Sequence, residues 1–387
     1  MFASIILLLI CVVFIVVQLK SRRPKNFPPG PPVWPILGNI LDLSLENPLK
    51  DFERLKKTYG NVYRVILADY GSSWKEQRRF ALMNLRNFGM GKDSMEERIH
   101  GEIQYTVDTL EKSIGKSFSP QNMFHNAASN IICQVLFGKR FEYQDETMKT
   151  LVQCFTENAK IANGPWAMVI RSFTFQLTMY ILDLHFAGTD TTSNTLLTGF
   201  LYLMNYPQVQ ERCQQEIDMV LEGKDQASSE DRNNMPYVQA VIHEFQRVAN
   251  TVPLSVFHCT TKDTELNGYS IPKGTLIIPN LTSVLNEEGQ WKFPNEFNPE
   301  NFLNDQGEFV KPEAFMPFSA GPRMCLGEGL ARMELFLFTV TLLRKFKFIW
   351  PEDAGEPDFT PVYGVTLTPK PYRMKVQLRV SQKIPNL

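Results

Sequence analysis

The stretch Phe318-Ser319-Ala320-Gly321-Pro322-Arg323-Met324-Cys325-Leu326-Gly327 limits this 387-residue chain more than any other. It reads as a loop that feeds the N-terminus of a helix. Glycines on both sides of the cysteine let backbone come close to a flat ligand. A cysteine beside the positive end of a helix has its thiolate favoured, and Arg323 adds a cation two residues away. A chain of this composition carries Phe-x-x-Gly-x-Arg-x-Cys-x-Gly by chance in about 6 of 100,000 cases, so a solitary buried cysteine is the weaker reading. The other five cysteines are not paired at metal-ligand spacing. They read mostly as small buried hydrophobes, reduced in a cytosolic body.

The second constraint lies at the N-terminus. Met1 to Leu19 contains no charged residue, and Lys20, Arg22, Arg23 and Lys25 follow at once. As a helix those residues reach about 28 Å, close to the roughly 30 Å of a bilayer's hydrocarbon core. There is no basic start and no small-residue cleavage site, so an uncleaved signal anchor over 1–19 is favoured over a cleaved leader or a core helix. The basic flank stays cytoplasmic by the positive-inside rule. Residues 20–38 form a basic, Pro-rich hinge with Pro28-Pro29-Gly30-Pro31-Pro32, which is stiff and non-helical. Residues 39–387 form the body. Lys+Arg and Asp+Glu number 40 and 41, which leaves no electrostatic footprint for nucleic acid.

Periodicity in the body predicts helices over Asn47–Tyr59, Trp74–Asn87, Ser94–Ile114, Pro120–Phe137, Met148–Ala162, Leu177–Asn205, Gln208–Leu221, Tyr237–Ala249 and Gly327–Phe346. A short strand is predicted over Asn61–Ile66. Val252–Ile278 and 347–380 carry strand patterns, with turns at Asn267-Gly268-Tyr269 and Pro272-Lys273-Gly274. The fold class is mainly α with a minor β part. Polar residues Asp190 to Thr195 interrupt the long apolar helix, so burial against a cavity is favoured over a second membrane span.

Three further pairings carry chemistry. Trp74 and Arg78 lie four apart on one helix face, where an indole N–H and a guanidinium suit a carboxylate. Ala187-Gly188-Thr189-Asp190-Thr191-Thr192 sets a hydroxyl next to an acid in mid-helix, the groups that proton delivery needs. The alternative is a kinked core helix whose threonine bonds back one turn. Glu244 and Arg247 form a Glu-x-x-Arg pair before Thr251-Val252-Pro253-Leu254. It is weak alone, since about one such pair arises by chance and Glu76–Arg79 is another.

Together these motifs, in this order, resemble the cytochrome P450 family, most closely the vertebrate microsomal members of its second family. The resemblance covers nearly the whole chain. It implies a P450 fold with an N-terminal membrane anchor, and a haem b cofactor with Cys325 as axial thiolate to the iron. Trp74, Arg78, His258 and Arg323 would hold the haem, Thr191 and Asp190 would handle protons, and Glu244–Arg247 would be a structural lock. The family usually closes that lock with a basic residue where this chain has neutral Asn301. The implied reaction inserts one atom of dioxygen into a lipophilic small molecule such as a fatty acid, steroid or xenobiotic. Electrons would come from an NADPH-dependent reductase, with cytochrome b5 as a further partner, at the endoplasmic reticulum membrane with the body on its cytoplasmic face.

Length sets one reservation. Family members run roughly a hundred residues longer, more than loop trimming explains. The losses fall at 61–73, where thirteen residues remain, and at 169–176, where eight remain. The family places a sheet, haem-covering segments and the cavity roof there. The second expectation is therefore a truncated, catalytically impaired membrane-bound form with weak haem binding.

Overall fold

The computed structural model describes residues 26–31, 48–60, 93–143, 145–146 and 176–379. The expected anchor over 1–19, the strand over 61–66, and the helices Trp74–Asn87 and Met148–Ala162 lie outside the described residues, as do Trp74, Arg78 and nearly all of both short joints. Among the described residues no helix is long and apolar enough to cross a membrane.

The chain forms two compact units, residues 1–73 with 256–279, and residues 74–255 with 280–387. The first contains α1 (Pro48–Tyr59) and four short strands, β1 (His258–Cys259), β2 (Thr264–Leu266), β3 (Tyr269–Ile271) and β4 (Leu276–Ile277). Helix α1 buries Phe52 and Leu55 and stops at Gly60, whose φ of 88° is the left-handed conformation glycine tolerates. Strands β2 and β3 form a hairpin with Leu266 opposite Tyr269, turned by Asn267 and Gly268 at φ 53° and 79°. Two positive φ values in a row are what a tight hairpin turn needs. Asn26 lies along this hairpin, accepting from the Ser270 N–H at 2.9 Å and donating to the Gly268 carbonyl. β1 pairs antiparallel with β4.

The second unit holds most of the helices: α2 (Asp93–Lys112), α3 (Gln121–Phe137), α4 (Gln176–Asn205), α5 (Pro207–Val220), α6 (Pro236–Ala249), α7 (Leu281–Leu285) and α8 (Glu328–Lys345). These bounds fall within two residues of the sequence reading wherever both exist. Punctuation explains the agreement. Prolines open α5 and α6, where a missing N–H costs nothing, and Gly138 closes α3 at φ 65°. The C-terminal strands pair antiparallel, β5 (Phe346–Ile349) with β8 (Lys375–Leu378) and β6 (Pro361–Tyr363) with β7 (Leu367–Pro369).

Helix α4 runs through the centre of this unit. Phe200 stacks on Phe124 of α3 at 5.3 Å and meets Phe348 of β5 at 4.6 Å between ring centroids. Two glycines of α4 are there for contact. A Cβ at Gly188 would fall 2.3 Å from Ile132 Cδ1, and one at Gly199 would fall 2.5 Å from the Phe245 ring. Gly188 thus lets α3 approach.

The polar stretch of α4 is buried, as expected for a helix inside protein. The Ser193 hydroxyl donates to the Thr189 carbonyl at 2.8 Å, and the Asn194 amide to Thr368 Oγ1 at 3.0 Å. The Thr195 hydroxyl donates to the Thr191 carbonyl at 2.8 Å and lies 3.0 Å from that of Thr251. The segment around β7 therefore closes this face of the helix.

Candidate functional site

The site is best built from the loop that carries the cysteine. Ser319 and Gly321 take left-handed φ values of 63° and 68°, and Gly321–Arg323 forms one 3-10 turn. The Cys325 N–H then donates to the Phe318 carbonyl at 2.9 Å, and α8 begins three residues later. Cys325 is exposed, and a Cβ at Gly327 would lie 3.9 Å from its sulfur. A Cβ at Gly321 would meet nothing within 4 Å. An exposed sulfur flanked by two bare backbone positions is a donor that a flat macrocycle can approach, so these residues fit a haem thiolate site. Arg323 sits in the same turn.

The loop is clamped from behind. The Arg332 guanidinium of α8 lies 5.2 Å from the Phe318 ring, bonds Glu328 at 2.9 Å, and donates to His243 Nε2 at 2.9 Å. His243 in turn donates from Nδ1 to the Gln239 carbonyl at 2.7 Å. Burial, then the neighbouring Arg332 charge, push this imidazole down to about 3, so it stays neutral. Its ring packs among Phe302, Phe309 and Phe315, with centroids 5.6, 4.6 and 5.0 Å away.

Glu244 and Arg247 form a buried ion pair. Arg247 bonds Glu244 through two nitrogens, both at 2.7 Å, and the pair is 1% and 0% exposed. The guanidinium also donates to the carbonyls of Leu285, Pro294 and Glu296 at 3.1, 2.8 and 2.5 Å. Asn301 donates its amide to Glu244 Oε1 at 3.2 Å and accepts from the Phe293 N–H at 2.8 Å. The third member is thus present as an ordinary hydrogen-bonding amide without charge.

On α4, Thr191 donates its hydroxyl to the Ala187 carbonyl at 2.5 Å, the back-bond anticipated as the alternative reading. That bond uses the proton and leaves the oxygen lone pairs open. Asp190 is buried. Its Oδ2 accepts from the Thr366 hydroxyl, and its Oδ1 faces His125 Nε2 of α3 at 3.5 Å. Thr191 and Asp190 are therefore adjacent in sequence but bonded to different partners. His258, in the first unit, has Nδ1 2.7 Å from the Val256 carbonyl, which sets its tautomer.

Three groups here escaped the sequence reading. His125 and Thr366 meet Asp190 across 65 and 176 residues, and no spacing rule reaches that far. The third is Glu334 of α8, which is 1% exposed. Burial pushes it up to about 8, and although Thr192 faces it, neither oxygen attains hydrogen-bond geometry. An acid followed by Leu335-Phe336-Leu337-Phe338 was a readable sign of it.

The family model described as Cytochrome P450 matches residues 64–180 and 174–376, two pieces that meet beside the second short joint. Among curated proteins the chain is similar to Cytochrome P450 2K4 of Oncorhynchus mykiss, at 37% identity over 93% of this chain and 94% of that one. It is similar to Cytochrome P450 2J2 of Homo sapiens at 35%, covering 92% of each. With Cytochrome P450 2F2 of Rattus norvegicus the figures are 34%, 97% and 99%. The first of these alignments extends over 472 residues, more than the 387 the chain possesses, so the relative carries segments with no counterpart here.

Proposed function

The chain belongs to the cytochrome P450 family of haem-dependent monooxygenases, and from that premise we propose a membrane-anchored enzyme that inserts one oxygen atom of dioxygen into a lipophilic small molecule. Fatty acids, steroids and xenobiotics are the substrate classes. Electrons come from an NADPH-dependent reductase, with cytochrome b5 as a second donor. The protein sits in the endoplasmic reticulum membrane through residues 1–19, with the catalytic body 39–387 on the cytoplasmic face behind the 20–38 hinge.

Haem b is the family's cofactor, and when bound it supplies dioxygen activation, which a thiolate ligand favours by pushing electron density toward O–O cleavage. Cys325 donates that thiolate from its clamped loop. Arg323, together with Trp74, Arg78 and His258, holds the carboxylates at the macrocycle's edge. Thr191 offers lone pairs as a hydrogen-bond acceptor, because its own proton is committed to Ala187. Asp190 holds and releases a proton next to it. Glu244 and Arg247 keep α6 against the 293–302 segment and take no part in the chemistry.

The exposed Cys325 on a loop already shaped around it is the observation that carries this reading. The test is the carbon monoxide difference spectrum of the reduced, purified protein. A red-shifted Soret band is expected, and Cys325→Ala abolishes it. Absence of the band in the parent chain, or its survival in the variant, overturns the assignment.

The alignment longer than the chain supports a second reading, a catalytically impaired form with weak haem binding. A roof lost at 169–176 admits water to the distal face, where activated oxygen is discharged unproductively. This reading expects low haem occupancy and no product when reductase, NADPH and a panel of lipophiles are supplied. Robust turnover dismisses it.

A further inference from the structure

Asp190 has side-chain partners on both oxygens, and one of them titrates. His125 Nδ1 lies 2.9 Å from the Gln121 carbonyl. A carbonyl only accepts, so Nδ1 carries a hydrogen, and the variable nitrogen is Nε2, which lies 3.5 Å from Asp190 Oδ1. A bare Nε2 opposite a bare carboxylate oxygen sets two lone pairs against each other. One proton on either atom turns that contact attractive. A single proton shared between Nε2 and Oδ1 is the arrangement that favours this contact. The imidazole is the more exposed partner, at 12% of its side chain against 8% for Asp190.

We propose that His125 loads Asp190 with the proton that the distal side of the site consumes, and holds the carboxylate in place between deliveries. The idea rests on the reading of Asp190 as a relay residue. The cycle starts with the shared proton on Nε2. The Nε2 proton passes to Oδ1, leaving a neutral imidazole and a carboxylic acid. The O–H of the acid turns about its C–O bond, gives that proton from Oδ1 to the oxygen that the relay serves, and leaves a carboxylate again. Nε2 then takes one proton from solvent. One proton enters for each that leaves, and no electrons move. Thr366 keeps its bond to Oδ2 throughout, so the carboxylate does not swing.

Other groups facing α3 do not compete for this role. His185 of α4, 2.9 Å from the Ser129 hydroxyl, is pushed down to about 4 by burial and is neutral near pH 7. Glu102 of α2 is engaged by Arg140 at 3.0 Å, by Tyr143 at 2.5 Å and by Asn130 at 3.4 Å. From the C-terminal segment, Lys370 is paired with Asp358 at 2.6 Å.

The test uses the full chain with haem and three variants: His125→Gln, Asp190→Asn and both together. Glutamine can still donate to Oδ1 but carries no titrating proton. The expected result for His125→Gln is a fall of about tenfold in product formed per NADPH consumed, with more hydrogen peroxide released. Its pH profile flattens across the range where imidazoles titrate, while the carbon monoxide spectrum stays that of the parent. If Asp190→Asn lowers coupling but His125→Gln keeps the parent's coupling and pH profile, the loading role is overturned and the relay reading stands. If Asp190→Asn itself changes nothing, the relay reading fails and the loading role with it. Thermal unfolding of the same four chains supplies an arm that needs no turnover. The two single shifts should fail to add in the double variant, and strict additivity overturns the contact.

Discussion

Two buried glutamates of this molecule are opposites in how they are partnered. Glu244 of α6 is 0% exposed and receives Arg247 through two nitrogens, the Asn298 N–H at 2.8 Å and the Asn301 amide. Glu334 of α8 is as deeply buried and receives no well-formed hydrogen bond. In the first, burial pushes the carboxyl above its ordinary range, and a cation and several donors oppose that push. The second lowers its cost by keeping its proton, which is why burial moves it up to about 8. A charge saturated with partners makes a rigid joint. An acid without them makes a place where the protein's stability depends on pH.

Breaking the saturated site should have the largest effect. Arg247→Ala leaves Glu244 buried without its cation and should cost about 3–5 kcal/mol, read as a lower unfolding midpoint and poor haem retention. A loss under 1 kcal/mol would show that the lock is dispensable. The bare site should show itself through pH. Glu334 stays protonated in the fold up to about pH 8, whereas in the unfolded chain it ionises above its ordinary 4.5. Between those values the folded state binds more protons, so stability falls as pH rises, by up to roughly 4 kcal/mol. Urea unfolding at pH 5 and pH 8 measures this, and Glu334→Gln should flatten the difference. An unchanged slope in that variant would place the pH dependence elsewhere.

A third test bears on the helix between the two sites. Gly188→Ala drives a Cβ into Ile132 and should cost about 1–3 kcal/mol, with Ile132→Val added to recover part of it. If the double variant recovers nothing, contact with α3 is not what requires the glycine. The smallest effect is expected from Asn301→Ala, about 1–2 kcal/mol, because it removes neutral hydrogen bonds and leaves the ion pair intact. Equal losses for Asn301→Ala and Arg247→Ala would erase the contrast between charge and ordinary hydrogen bonding.

Local signals were legible in the sequence and long-range ones were not. Helix limits at Gly60, Pro120, Gly138, Pro207 and Pro236 follow from backbone chemistry that one or two residues decide. The cysteine loop and the Glu244–Arg247 pair carry their chemistry within ten residues and four, so they too could be read in place. His125, Thr366 and Ile132 matter only through what they touch on α4, and nothing in their own neighbourhoods marks them. Gly188 shows the cost of a purely local reading. Its smallness was plain, but the side chain it makes room for lies on another helix.

The closure of α4 by the C-terminal segment also orders events during synthesis. Asp190, Asn194 and Leu197 receive Thr366, Thr368 and Tyr372 as partners, and Leu367 is tied to Thr251 by its N–H at 2.8 Å. Each of those partners leaves the ribosome well over a hundred residues after the helix they cover. Until then a nascent chain holds its central helix with one polar flank uncovered. A polypeptide ending before residue 366 would keep every residue of the cysteine loop and still lack the cover on that flank.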